Sequence, residues 1–169
     1  FDNIAALIEY RDGVFIRWLA NSALYAGLGA FLATLIAAMA GYAIAKYSFF
    51  GRETLFNLIL GGVLVPATAL ALPLFLLFSQ TGMTNTIWAV LLPSLVSPFG
   101  VYLSRIFAAA SVPNEIIEAA RIDGAGEVRT FFTVATRLMA PALVTIFLFQ
   151  FVGIWNNFFL PLIILRDED

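Results

Sequence analysis

Three long runs of the chain contain no charged residue. They cover residues 18–45, 54–104 and 138–165 and are 28, 51 and 28 residues long. About 20 helical residues cross the hydrocarbon core of a bilayer, so the runs predict one, two and one spans. We expect four spans, at about 18–45, 54–78, 86–104 and 138–165. Helices buried in a soluble protein would show polar faces at a 3.6-residue period, which these runs lack.

Small residues recur every four positions in the first run. Such rows let another helix approach closely in lipid, where packing replaces the hydrophobic driving force. An ordinary alanine-rich composition is the alternative. The two rows consist of Ala33, Ala37, Gly41 and Ala45, and of Ala26 and Ala30 beside them.

Proline and glycine interrupt the second run. A polar turn at residues 79–86 divides it into two halves, and each half contains two prolines. Because proline lacks the backbone donor and bends a helix, we expect both halves to be bent. Bent helices suit a bundle that lines a pathway better than a simple anchor. The prolines are Pro66 and Pro73 in the first half, and Pro93 and Pro98 in the second.

The composition excludes several functions. The chain is 62% hydrophobic and 12% charged, and it has neither cysteine nor histidine. Disulfides, thiolate metal sites and histidine-based nucleophile pairs are therefore excluded. No acidic residue lies inside a predicted span, which disfavours an intramembrane aspartyl enzyme or a proton relay. The positive residues form no dense patch, so nothing indicates nucleic-acid binding.

Positive charge predicts the orientation of the spans. Six Lys and Arg residues lie in the turn at 46–53 and the loop at 105–137, and three lie on the other side. Positive residues favour the cytoplasm, so we place the 105–137 loop there. We expect residues 1–17 to form a short interfacial helix before the first span. The acidic tail, residues 167–169, is expected to be a solvated end outside.

A polar island at residues 115–125 stands between the apolar runs. Pro113 can open a helix there, and Glu115 and Glu118 near its N-terminus suit the helix dipole. Ala119 and Ala120 leave room for a partner surface. Gly124 is a natural stop, because glycine accepts the left-handed conformation. A second helix is expected from residue 127 towards residue 137. The island therefore predicts a cytoplasmic docking element with a hinge.

At these residues the chain resembles the permease subunits of bacterial binding-protein-dependent ABC importers. Their cytoplasmic loop has the form Glu-Ala-Ala, three residues, then Gly, as in Glu118-Ala119-Ala120 before Gly124. Flanking segments, including Ile122-Asp123-Gly124-Ala125 and Trp155-Asn156-Asn157-Phe158, are similar to the carbohydrate, maltose-type branch. One departure is Thr136-Arg137, where the family often has Leu-Pro. We expect this difference to make the chain straighter as it enters the last span.

The resemblance implies a fold and a set of partners. The fold would be an all-α integral membrane bundle of the type I importer kind, in one transmembrane domain over residues 1–169. Family members usually have six spans, and the chain begins at Phe1 without an initiating Met, so we expect a fragment. A cytoplasmic ATPase dimer would bind ATP, which this chain would not, and a second permease subunit would complete the pathway. A solute-binding protein would deliver sugar at the bacterial cytoplasmic membrane.

Two groups of site residues follow from this resemblance. The coupling residues would be Glu115, Glu118, Ala119, Ala120, Asp123 and Gly124. A helix-capping contact, or a pair with Arg121 within the loop, is the alternative role for Glu118. Polar residues of the last span are pathway candidates, with hydrogen bonding between helices as an equal alternative. These candidates are Gln150, Asn156 and Asn157.

Other functions compete with sugar import. Importers of amino acids, polyamines or phosphate share the Glu-Ala-Ala loop, so the sugar prediction depends on the flanking segments. A structural anchor or scaffold would explain the spans, but it would not explain the bends or the ordered polar loop. No phosphate-binding loop of the Gly-x-x-x-x-Gly-Lys-Ser/Thr type is present, so nucleotide would bind elsewhere.

Overall fold

The computed structural model describes residues 7–8 and 13–165, and in this part of the chain all regular structure is helical. Most of the predicted interfacial helix and the whole acidic tail lie outside the described residues. A 3₁₀ turn at Gly62–Leu64 and a π-helical turn at Phe131–Ala135 join some of the helices. The α-helices are α1 Val14–Lys46, α2 Arg52–Gly61, α3 Ala67–Gln80, α4 Ile87–Ser94, α5 Pro98–Ser111, α6 Asn114–Ile122, α7 Glu127–Thr130, α8 Thr136–Leu138, α9 Ala140–Trp155 and α10 Phe159–Ile164.

Two stretches of the described chain, Val14–Lys46 and Ile87–Ser111, are long and apolar enough to cross a membrane. Two further pairs of helices meet this test only when each pair is counted as one bent span. The count is therefore two spans, or up to four with the bent pairs, which accommodates the predicted number. The bent pairs are Arg52–Leu64 with Ala67–Gln80, at 98°, and Glu127–Leu138 with Ala140–Trp155, at 85°.

The 98° bend confirms that the first half of the second run is not straight. It falls at Pro66, whose extended backbone (φ −66°, ψ 130°) separates the 3₁₀ turn from α3. Pro66 has no N–H to continue the helical hydrogen bonds, so the chain turns there. Pro73 lies within α3. The second half is interrupted only at residues 95–97, and Pro98 then begins α5.

Helix α5 continues beyond residue 104, where the third span is predicted to end. Arg105 was its expected boundary, but α5 continues to Ser111. The guanidinium of Arg105 donates to both carboxylate oxygens of Glu53, at 2.7 and 2.9 Å, and lies 4.0 Å from the ring centroid of Phe56. Because Glu53 and Phe56 of α2 stabilise the charge of Arg105, helix α5 can continue through this residue.

The chain does not run straight into the last predicted span. The chain bends by 85° at Met139, between Leu138 and Ala140. Pro141 at the start of α9 cannot donate a hydrogen bond to the preceding turn, and the π-helical turn upstream already shifts the helical register. Replacing the family's proline with Arg137 does not remove the bend, since Pro141 remains. The last run is also interrupted, at residues 156–158 between α9 and α10.

The long helix α1 forms the centre of the bundle and packs mainly against α5 and α9. Its predicted small-residue rows are buried, including Ala30, Ala33 and Ala37, except at Ala45, which is partly buried. A Cβ atom added at Gly41 would lie 2.4 Å from the Cβ of Ser104 and 2.6 Å from the backbone nitrogen of Arg105. The small residues thus bring two helix backbones together, as predicted.

Candidate functional site

Helix α6 contains most of the predicted coupling residues and lies at one end of the bundle. Pro113 (φ −62°, ψ 141°) directly precedes it, Glu115 is in its first turn and Arg121 in its last. These charges suit the helix dipole. Ile117 is buried in a cluster with Tyr42, Val112 and Phe131, which come from α1, the end of α5 and the π-helical turn. One apolar side chain therefore fixes which face of α6 points away from the bundle.

The corner after α6 has the geometry of a Schellman motif. Gly124 has φ +80°, and its N–H donates to the carbonyl of Arg121 at 3.0 Å. The N–H of Ala125 donates to the carbonyl of Ala120 at 2.9 Å. Glycine adopts this left-handed conformation without the steric cost that a Cβ adds. Gly124 therefore ends the helix and redirects the chain, as the sequence predicted.

The face of α6 opposite Ile117 is exposed. It presents the carboxylates of Glu115 and Glu118, the small side chain of Ala119, and Asp123 at the corner, while Ala120 is half-buried. Ile122 is also 87% exposed, and the sequence interpretation did not single it out. Helical spacing is the signal that could have identified it, since Ile122 lies five positions after the buried Ile117 and therefore about 140° away from it around the helix. The structure thus collects the predicted coupling residues on one acidic surface with an apolar edge.

Glu118 has no hydrogen bond or ion pair with any of the described residues. The alternative role predicted for it, a pair with Arg121, is wrong because the guanidinium of Arg121 instead donates to Glu127 at 2.7 Å. Arg121 and Glu127 lie on either side of the Gly124 corner, so their pair closes the turn. Glu118 is left pointing away from the bundle.

Two contacts join the α6 region to the end of α1, and sequence reasoning missed both. The hydroxyl of Tyr47 donates to a carboxylate oxygen of Glu127 at 2.6 Å. The ammonium of Lys46 donates to the side-chain oxygen of Asn114 at 3.1 Å. We call Tyr47, Arg121 and Glu127 the Glu127 cluster. No local sequence pattern could have shown it, because residues 47 and 127 are 80 positions apart.

The electrostatics of the Glu127 cluster follow from these contacts. The Arg121 guanidinium, and then the Tyr47 hydroxyl, lower the pKa of the Glu127 carboxyl. Burial, followed by the hydrogen bond to Glu127, raises the pKa of Tyr47. Tyr47 therefore stays a neutral donor and Glu127 a charged acceptor near neutral pH. The ring of Tyr47 also contacts Tyr42 edge to face, with centroids 5.9 Å apart.

A second candidate site, which we call the polar cavity, lies at the other end of α1. Its volume is about 770 Å³, within the range typical of small-molecule sites. Aromatic faces together with amide and hydroxyl groups are suited to a polar ligand with apolar faces. The lining residues are Arg17, Trp18, Asn21, Ser22, Tyr25, Asn85, Thr86, Ile87, Val90, Ile154, Trp155, Asn157, Phe158, Pro161, Leu162 and Leu165.

The three predicted pathway residues separate in the structure. Asn157 lines the polar cavity, and its side-chain oxygen accepts from the N–H of Leu160 at 3.4 Å. Asn156 donates to the carbonyl of Val152 at 2.9 Å, within its own helix segment. Gln150 donates to the hydroxyl of the buried Ser97 on the neighbouring segment. Gln150 thus makes the hydrogen bond between helices that was the alternative to a pathway role.

Comparison with known proteins agrees with the sequence resemblance. The family model described as "Binding-protein-dependent transport system inner membrane component" matches residues 27–169. The arabinooligosaccharides transport system permease protein AraQ of Halalkalibacterium halodurans is 39% identical over 157 residues, which are 93% of this chain and 56% of that protein. The lactose transport system permease protein LacG of Rhizobium radiobacter is 35% identical over 169 residues, which are 100% of this chain and 61% of that protein.

A solved structure shares the fold. A chain of a bacterial ABC transporter involved in import of the acidic polysaccharide alginate superposes with a TM-score of 0.79 at 27% identity. The match covers 88% of this chain and 52% of that chain. This chain therefore spans little more than half the length of the proteins it matches.

Proposed function

The chain belongs to the family of binding-protein-dependent transport system inner membrane components, and from that premise we propose that it is a membrane-spanning subunit of an ATP-driven sugar importer. The relatives support sugar as the solute, since two are named for oligosaccharide or lactose transport and a structural neighbour imports alginate. None of the three favours amino acids, polyamines or phosphate. Family membership also favours a transport subunit over a membrane enzyme or a scaffold.

In this proposal, α6 docks onto a cytoplasmic ATPase dimer, which binds and hydrolyses ATP. The exposed acidic surface of α6 supports this role most directly. Ile117 fixes its orientation, Gly124 fixes its end, and Glu118 has no partner among the described residues. A carboxylate without a partner on a rigid surface suits a charge-assisted contact with a basic residue of another protein. Ala119 and Ala120 allow that protein to come close to the helix backbone.

The polar cavity is the candidate for contact with the solute. Asn157, Asn85 and Tyr25 can hydrogen-bond sugar hydroxyls, and the faces of Trp18 and Trp155 can cover the apolar faces of a sugar ring. In the predicted orientation this cavity faces the outside, where a solute-binding protein would deliver the sugar. A second permease subunit would complete the pathway through the bacterial cytoplasmic membrane.

Charge reversal at Glu118 tests the docking role. The full-length permease is reconstituted in vesicles with its ATPase and solute-binding protein, and arabinose oligosaccharide or lactose uptake and ATP hydrolysis are measured together. We expect Glu118→Lys to lower ATPase association roughly tenfold, which corresponds to about 1.5 kcal/mol of charge-assisted contact. Thr133→Lys adds a lysine elsewhere on the exposed loop and serves as the matched control. Normal association and uptake by Glu118→Lys would refute the docking role.

A second pair of variants tests the polar cavity. We expect Asn157→Ala to raise the sugar concentration needed for half-maximal uptake. Thr145→Ala, which removes a polar group from α9 outside the cavity lining, should leave uptake unchanged. Equal uptake curves for the two variants would remove Asn157 from the pathway.

A further inference from the structure

The α6 region is attached to α1 at both of its ends. Lys46 contacts Asn114, the first residue of α6, and Tyr47 contacts Glu127, which follows the Gly124 corner. Between these contacts, Ile117 is 4% exposed in the cluster that contains Tyr42 of α1. A short helix held by its start, its middle and its following corner has little freedom to pivot against α1.

The same helix α1 also reaches the polar cavity. Trp18, Asn21 and Tyr25 of α1 line that cavity, while Lys46 ends the helix beside the α6 region. From Tyr25 to Tyr47 there are 22 residues, so the two sites are about 33 Å apart along the helix at 1.5 Å per residue. The α1 helix is continuous over Val14–Lys46. A displacement applied at one end therefore reaches the other without passing through a break.

We propose that Tyr47 and Glu127 are positioning residues that fix the docking helix α6 to α1, so that α6, the Gly124 corner and α1 move as one body between nucleotide states. This inference rests on the proposed function and adds the element that transmits motion to the polar cavity. Arg121 completes the arrangement, because it contacts the Glu127 carboxylate from the α6 side while Tyr47 contacts it from the α1 side.

The proposed role depends on the hydrogen bonds of Glu127 with Tyr47 and Arg121, which two conservative variants remove or weaken. The Tyr47 ring packs on Tyr42 independently of its hydroxyl, so Tyr47→Phe keeps the packing and removes only the hydrogen bond. Glu127→Gln keeps the size of the side chain and removes the charge. Glu127 contacts Arg121 as well as Tyr47, so adding Tyr47→Phe to Glu127→Gln should cost less than Tyr47→Phe does alone, a non-additivity that independent structural damage would not produce.

The test uses spin labels on the full-length permease in its complete complex. Labels at Leu24→Cys on α1 and Val128→Cys after the corner are both on exposed positions, and this sequence has no other cysteine. Pulsed electron resonance then measures the label distance without nucleotide and with bound ATP. We expect the parent protein to keep this distance within roughly 2 Å, the size of ordinary helix shifts.

In Tyr47→Phe and in Glu127→Gln, we expect the label distance to differ between the two states and the sugar transported per ATP to fall about fivefold, at the low end of usual coupling between sites. Tyr102→Phe removes a hydroxyl outside the cluster and should change neither value. The proposal would be overturned if the label distance in the parent changed by more than roughly 2 Å between the two nucleotide states. It would also be overturned if the variants showed the same distances as the parent in both states. Failure of the proposed function would differ, since the parent would show neither ATPase association nor sugar uptake.

Discussion

The contact between α1 and α5 at Gly41 offers a sharp test of the fold. Gly41→Ala would place a Cβ atom 2.4 Å from the Cβ of Ser104 and 2.6 Å from the backbone nitrogen of Arg105. Neither neighbour is the end of a flexible side chain, so the two helices must separate. Gly27→Ala is the matched control, because it makes the same substitution in the same helix where nothing lies within 4 Å.

The comparison of the two variants isolates the packing effect. Both gain about 1 kcal/mol of helix propensity when Gly becomes Ala, so this gain cancels in the difference. Forcing one extra carbon into a packed contact costs about 1–3 kcal/mol. We therefore expect Gly41→Ala to be less stable than Gly27→Ala by about 1–3 kcal/mol. At about 2–4 °C per kcal/mol for a domain of 150–250 residues, this is roughly 2–12 °C in melting temperature.

Thermal unfolding of the purified complex in detergent measures this difference directly. The two variants are compared at equal protein and detergent concentrations, with Gly41→Ser as a further variant that should be at least as damaging as Gly41→Ala. Equal melting temperatures for Gly41→Ala and Gly27→Ala would refute the close approach of α1 and α5. A loss of stability in Gly27→Ala alone would refute the placement of Gly27 on an open face.

Three further predictions concern the α6 corner and the buried polar groups. Gly124→Ala should destabilise α6 by about 1–2 kcal/mol because of its positive φ, whereas Gly126→Ala, at φ −72°, should destabilise it less. Hydrogen exchange of the α6 amides measures both effects, and equal protection in the two variants would contradict the predicted backbone strain. Tyr42→Phe should leave the melting temperature unchanged or raise it, because its buried hydroxyl has no partner among the described residues; a marked drop would reveal one. Gln150→Leu should cost about 0.6 kcal/mol by losing its bond to Ser97, and lost uptake at unchanged stability would instead favour a pathway role.

Helix α6 was the most predictable part of the candidate site. Pro113 before it, acidic residues in its first turn and Gly124 after it are local signals, because each acts through the backbone within a few residues. The structure confirms these elements at their predicted places. The partners of the loop were not predictable in the same way. Arg121 has four acidic residues within six positions along the sequence, and only the fold decides that it pairs with Glu127.

Bends and cavity residues also divide into those that local sequence predicts and those that only the fold decides. Pro66 predicted a bend, and the chain turns there by 98°, because a missing N–H acts locally. The bend at Met139 was not expected, since it combines Pro141 with a π-helical turn that no single residue specifies. Asn157 and Gln150 look equivalent on a helical wheel. Their surroundings in the fold differ, since Asn157 borders the polar cavity and Gln150 donates a hydrogen bond to Ser97.

The sequence alone determined that the chain is helical, apolar over three long runs, and interrupted by a polar segment with a helix ended by Gly124. Hydrophobic length, charge placement and glycine conformation are properties of neighbouring residues, so they can be read along the chain. The tertiary structure decided which charges pair, that Arg105 stays within α5, and that Tyr47 meets Glu127 across 80 positions. Those outcomes depend on distances between helices, which arise only when α1, α5 and the α6 region pack against one another.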